Sequence, residues 1–171
     1  MSQHPQAARD AALLDLVETI EARGEHTFIA SVLVLEGKGL YHVAGPHLPA
    51  RYQAAVNGLE IGPAVGSCGT AAFCGHPIYV SDISTDPLWA RFSDVVTLAL
   101  EAGLRACWSM PIMSAGRVLG TFAIYHREPR APTLAERSLI ADAARSAAAL
   151  LGGTQFAKTV EPANRHMPID V

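Results

Sequence analysis

The chain has 171 residues, 50% of them hydrophobic and 17% charged, which suits a single compact domain with a full core. A formal net charge of −3 with singly scattered arginines gives no electrostatic reason to expect nucleic acid. No apolar run approaches the ~20 residues that span a bilayer, and Met1 to Pro5 lacks the basic-then-apolar pattern of a secretory signal, so a cytoplasmic protein off the membrane is expected.

The three cysteines, Cys68, Cys74 and Cys107, argue in the same direction. An odd number in a chain of this size suits reduced thiols rather than a disulfide framework. Cys68 and Cys74 stand six apart with no second ligand pair, which matches no zinc spacing, so no metal site is expected.

Leu13, Leu14, Val17 and Ile20 recur at helical spacing and predict a helix over Ala7–Arg23, stopped by Gly24. The β-branched run Thr27–Leu35 predicts a strand, and Glu36-Gly37-Lys38-Gly39 a turn into a second strand over Leu40–Ala44. A short helix follows over Pro49–Val56. Gly62–Gly66 reads as a loop, with Ser67 as N-cap of a helix of about nine residues that stops at Gly75. Ile78–Val80 reads as a short central strand. Ser84, Thr85 and Asp86 are candidate caps before Pro87, with a helix or irregular helical segment over Leu88 to about Leu100.

Arg105–Met113 and Val118–His126 predict two strands joined by Ser114-Ala115-Gly116-Arg117. Thr133 and Glu136 form a capping box for a last helix, which carries an apolar stripe from Leu139 to Leu151 and ends at Gly152-Gly153. The expected domain is 1–153. The stretch 154–171 has no periodicity and reads as a mobile tail. Adjacent hairpins imply an antiparallel sheet, with the terminal helices on one face and the middle helices on the other: an α+β fold whose ligand space lies between the sheet and the middle helices.

Gly-Pro-x-Val-Gly-Ser-Cys-Gly-Thr-Ala-Ala from Gly62, then Pro77-Ile78 to Asp82-Ile83, Asp86-Pro87-Leu88-Trp89, Arg105 to Ile112 and Gly116 to Ala123 together resemble a GAF domain. The resemblance is strongest to the modules of bacterial sensor histidine kinases and runs from about Leu13 to Leu151. It implies six antiparallel strands, small-molecule sensing in signal transduction, and a homodimer or partner contact through the alanine-striped terminal helices Ala7–Arg23 and Thr133–Leu151. Fold does not name the ligand. The cyclic-nucleotide signature of such domains is not found here, and covalent bilin is not expected because Leu88–Leu100 holds neither Cys nor His. Haem would need an axial His or Cys on the cavity. His42, His47, His76 and His126 are the histidines weighed for that part.

The sequence is also similar to free methionine-R-sulfoxide reductase at Cys68-Gly69-Thr70-Ala71. A thiol in the first turn of a helix is stabilised as thiolate, and thiolate attack on sulfur needs a resolving thiol, for which Cys107 is the candidate. The chain departs from that family in having no cysteine in Leu88–Leu100. The alternatives are that all three cysteines fill the core, or that the domain is a ligand-free interaction module. Candidate ligand contacts are Val65, Ser67, Cys68, Gly69 and Thr70 at the helix start, and Trp89 and Phe92 as an aromatic lid or core. Alternation puts Cys107 and Ser109 on one face of their strand, and the resemblance implies that this face looks at the pocket. Asp82 is either a ligand contact or a local cap.

Overall fold

The computed structural model describes residues 3–159. The elements are α1 (Gln3–Arg23), β1 (Ile29–Glu36), β2 (Gly39–Ala44), α2 (Ala50–Val56), β3 (Leu59–Glu60), α3 (Gly66–Cys74), β4 (Ile78–Val80), α4 (Ser93–Glu101), β5 (Ala106–Ser114), β6 (Arg117–His126) and α5 (Leu134–Thr159). The strands form one sheet in the order β3-β2-β1-β6-β5-β4, every neighbouring pair antiparallel.

The expected two-sided covering is found. Leu13, Val17 and Ile20 of α1 and Ile140, Ala143 and Ala147 of α5 share one core with Trp108, Phe122 and Ile124 of the sheet. Cys107, Ala123 and Tyr125 face the other way and pack with Tyr52, Trp89 and Ala99 from the middle helices. Period-2 alternation on β5 thus feeds two cores at once.

Local signals set the turns. Ala115 and Gly116 take φ of +49° and +75°, the pair of positive values that a two-residue turn with the right twist demands. Glu136 N–H donates to Thr133 Oγ1 at 3.2 Å, and Thr133 N–H donates to the Glu136 carboxylate at 2.8 Å, so the capping box closes as read. Asp86 accepts from Leu88 N–H and starts a single 3-10 turn over Pro87–Trp89.

The β5–β6 ladder is not a simple hairpin. Ser114 pairs with Arg117 and Met113 with Val118, but Ile112 pairs with Gly120. Leu119 is therefore an extra residue, a β-bulge. Beyond it Cys107 lies opposite Tyr125, and Trp108 opposite Ile124.

Several expectations are corrected. β4 lies at the edge of the sheet, not its centre, because β5 and β6 pair inward with β1. The two-residue β3, too short to carry a periodic signal, supplies the opposite edge. Of the two forms expected for Leu88–Leu100, the irregular one is found, the 3-10 turn followed by α4. α1 begins at Gln3, with Pro5 tolerated in its first turn, where the missing N–H has no helical acceptor. α5 runs through Gly152 and Gly153 to Thr159, since glycine weakens a helix by about 1 kcal/mol without forbidding it. The rest of the expected tail, 160–171, lies outside the described residues. The alanine stripe of α5 is not a free surface: Ala143 and Ala147 are buried against the chain's own α1 and sheet.

Gly120 of β6 lies opposite Val34 of β1 at a close backbone approach. A Cβ there would sit 2.0 Å from the Leu33 carbonyl oxygen, on backbone that cannot yield. Gly120→Ala should therefore cost about 3 kcal/mol, at the upper end of overpacking penalties. The check is the urea midpoint of the variant against that of the parent chain.

Candidate functional site

The site is built on the start of α3. Gly66 takes φ +57°, a left-handed conformation open to glycine, with the Trp89 ring within ordinary contact distance of where a Cβ would stand. At Gly69 a Cβ would lie 2.7 Å from Val65 Cβ, so the turn before the helix folds tightly over its first residues. The Thr70 hydroxyl donates to Gly66 O at 2.6 Å and accepts from Val65 N–H at 3.1 Å. Thr70 thus fastens the helix start, with its oxygen turned into the backbone. Gly75, at φ +69°, ends the helix as the sequence indicated.

Ser67 does not cap α3. Val65 holds that position and Ser67 lies inside the first turn, because Gly66 already takes up the reversal of the chain. The Ser67 hydroxyl accepts from Trp89 Nε1–H at 3.2 Å, which ties the helix to the 3-10 turn beside it. A fully buried indole N–H is thereby satisfied.

Beneath this tie lies a cavity of about 40 Å³. One water needs roughly 10–15 Å³ on this measure, so the space admits a compact molecule of a few heavy atoms. Val65, Ser67, Cys68, Gly69, Trp89 and Phe92 of the sequence-derived set line it. Cys107 and Ser109 share a strand face, as alternation indicated, and lie behind Cys68; neither they nor Thr70 line the cavity. Asp82 stands apart: its carboxylate accepts from the Ser84 N–H and hydroxyl at 3.0 and 2.6 Å and pairs with Arg105 at 3.4 Å. These partners hold its pKa below the usual value, the Ser84 hydroxyl first.

Sequence reasoning missed Tyr52, Tyr125, Leu33, Leu40, Val56 and Val95 among the lining residues. For Tyr125 the hairpin signal pointed one residue away. Counting back from the Ala115-Gly116 turn without a bulge sets Ile124 opposite Cys107, and the extra residue at Leu119 moves Tyr125 there instead. Tyr52 stands at the centre of the short α2, and its hydroxyl meets that of Tyr125 at 3.2 Å.

The chemistry converges on sulfur. Cys68 Sγ lies 3.0 Å from Ser109 Oγ, and Cys107 Sγ lies 3.8 Å from the same oxygen. A hydrogen bond from the Cys107 thiol, then one from Ser109, brings the Cys68 pKa down to about 7 against the opposing effect of burial. Burial pushes the Cys107 thiol and the Tyr52 and Tyr125 hydroxyls well up, so all three stay protonated and can donate. Thr121, on the same strand face as Tyr125, keeps a fully buried hydroxyl without a partner.

No charged side chain and no histidine lines this cavity. The axial donors on this wall would be Cys68, Tyr52 and Tyr125, and the space as it stands is too small for any tetrapyrrole macrocycle. Among the described residues no three His, Cys, Asp or Glu side chains gather to hold a metal ion. A second hollow of about 330 Å³ lies between Glu21, His26, Phe28, Ile29, His47 and Arg127. Its buried carboxylate is already engaged: Glu21 accepts from Ala30 N–H at 2.8 Å and meets His47 Nδ1 at 2.6 Å.

Comparison with known proteins agrees with this architecture. The family model for the GAF domain matches residues 6–151. Over 137 residues the chain is 37% identical to the methyl sulfide methyltransferase-associated sensor of Methanosarcina acetivorans, a match that takes in 78% of this chain and 13% of that protein. The GAF domain of a phosphoenolpyruvate-protein phosphotransferase from Coxiella burnetii superposes with a TM-score of 0.69 at 18% identity, covering 92% of this chain and 91% of the other. The type II free methionine-R-sulfoxide reductase of Thermoplasma acidophilum does so at 0.68 and 14%, covering 87% and 96%. The last two likenesses show the fold alone. No described helix is long and apolar enough to cross a membrane. With its six-stranded sheet, its two-sided helical cover and a family match across almost every described residue, the chain belongs to the GAF domain family and resembles the modules of sensory signalling proteins.

Proposed function

We propose that this GAF domain is a cytoplasmic sensor that binds a compact, uncharged molecule in the cavity under Trp89 and signals through contacts with itself or a partner protein. The observation that carries the reading is the lining of that cavity. Aromatic and aliphatic walls meet a few hydroxyls and one thiol, with no charge to hold an ion. Such a mixture favours a small, largely apolar ligand with a single polar end. The likeness to a sensor protein supports a regulatory part, and the chain spans 13% of that relative's length.

Native mass spectrometry of the purified protein, beside the same sample denatured, tests the reading. A mass excess lost on denaturation is expected. Val95→Phe, which adds volume to the lining, should abolish it while leaving the circular dichroism spectrum intact. A bare chain in the parent protein, together with no shift in Tm across a panel of small neutral metabolites, would overturn it.

A second reading is favoured by the lowered pKa of Cys68. We propose that this thiol is chemically reactive, as in a thiol-based redox enzyme or sensor akin to the reductases that share the fold. Thiolate is the nucleophilic form. Below pH 7 Cys68 is mostly protonated and slow, and above it the thiolate dominates. In a Cys74→Ser background, iodoacetamide labelling of Cys68 should rise with pH and reach half its maximum near pH 7, where its pKa lies. Ser109→Ala removes one donor and should move that midpoint upward. A midpoint at the value of an ordinary cysteine in both proteins would remove this reading.

A further inference from the structure

We propose that Cys68 and Cys107 are a peroxide-responsive dithiol that closes to an intramolecular disulfide behind the cavity. The inference deepens the thiol reading above and rests on it for the reactivity of Cys68. Geometry carries it. One hydroxyl, Ser109 Oγ, lies 3.0 Å from Cys68 Sγ and 3.8 Å from Cys107 Sγ, so both sulfurs converge on a single point. Both side chains also belong to the same apolar cluster between the sheet and the middle helices. The two residues belong to different elements, α3 and β5, so their bond would staple a helix to the sheet.

Access is unequal, which orders the steps. Cys68 lines the cavity, whereas Cys107 is fully buried behind it. An oxidant therefore meets Cys68 first. A cavity of about 40 Å³ admits hydrogen peroxide or a short alkyl hydroperoxide and excludes a tripeptide disulfide. Cys74 is no competitor: it stands six residues along the same helix, roughly 9 Å from Cys68 on the axis, beyond disulfide reach.

The chemistry balances. The Cys68 thiolate attacks one peroxide oxygen; an S–O bond forms, the O–O bond breaks, and the departing oxygen leaves as water or alcohol, taking from solvent the equivalent of the proton that Cys68 lost on ionising. Sulfur is oxidised to the sulfenic acid and the peroxide is reduced. The Cys107 sulfur then attacks Cys68 Sγ. The S–S bond forms, the S–O bond breaks, and hydroxide leaves with the Cys107 proton as water. Two thiols and one hydroperoxide yield one disulfide, one water or alcohol, and one further water. Burial raises the Cys107 thiol, which leaves it little thiolate of its own, but its sulfur shares the Ser109 hydroxyl with the sulfenic sulfur it attacks. The product removes the Cys68 thiol from the cavity wall, so oxidation and ligand binding would compete.

The test uses the full chain treated with one equivalent of hydrogen peroxide, followed by thiol counting and peptide mapping without reduction. The parent protein should lose two of its three thiols and yield a Cys68–Cys107 linked peptide about 2 Da lighter than the sum of its parts. Cys74→Ser should behave the same way. Cys107→Ser should instead accumulate Cys68 sulfenic acid, trapped by dimedone, and Cys68→Ser should lose no thiol. If the Cys107 variant does not fold, the linked peptide in the parent chain decides alone. No oxidation at Cys68 in any protein overturns the proposal together with the thiol reading. Trapped sulfenic acid in the parent chain without the linked peptide overturns the dithiol while leaving Cys68 reactive.

Discussion

The extra residue at Leu119 decides what faces what. In an antiparallel pair directly opposed residues share a face, and a shift of one moves every side chain to the other side. Ahead of the bulge Val118 looks toward the middle helices; beyond it Thr121, Ala123 and Tyr125 do so, while Leu119, Phe122 and Ile124 pack with α1 and α5. Without the bulge Phe122 and Ile124 would project toward Cys107, and the hydroxyls of Thr121 and Tyr125 would enter the apolar core under α5. Both cores would then carry the wrong chemistry. One added residue thus keeps the terminal-helix layer apolar and gathers the polar groups behind Cys68.

What was legible in the sequence was local. The capping box at Thr133 and Glu136, the Asp86-Pro87 start and the Gly75 stop each depend on residues a few positions apart, and each formed as read. The division of β5 between two faces was also legible, since alternation needs no partner strand. Sheet order was not: nothing in Ile78-Tyr79-Val80 says that β4 pairs on one side only. The two-residue β3 is defined by its ladder to Gly39 and Leu40 rather than by its own pattern.

The site shows the same boundary. The glycine loop and the Trp89 segment announced themselves, and most of their named residues line the cavity. The specific task of Ser67 did not, because its hydroxyl answers an indole 22 residues away rather than its own helix. Tyr52 and Tyr125 were hidden for related reasons, one by the docking of α2 and the other by a bulge that hairpin counting does not anticipate. Candidate contacts on a single turn are read from sequence more safely than those that require register.

β5 joins this chemistry to the opposite layer. Cys107 and Ser109 face the cavity, and Trp108 between them faces the terminal helices. There the indole packs on His126 at 4.4 Å between centroids, donates to Arg130 O at 3.1 Å, and lies under the Arg130 guanidinium. Arg130 in turn holds Glu136 through two bonds of 2.6 and 2.8 Å, and Glu136 closes the capping box of α5. A displacement of the strand at Cys107 must therefore shift Trp108 against a group that fixes the start of the longest described helix. Packed side chains in a close-packed core do not absorb such a shift smoothly. The route is physically continuous over a handful of residues, and it begins at the two sulfurs whose separation the cavity chemistry would change.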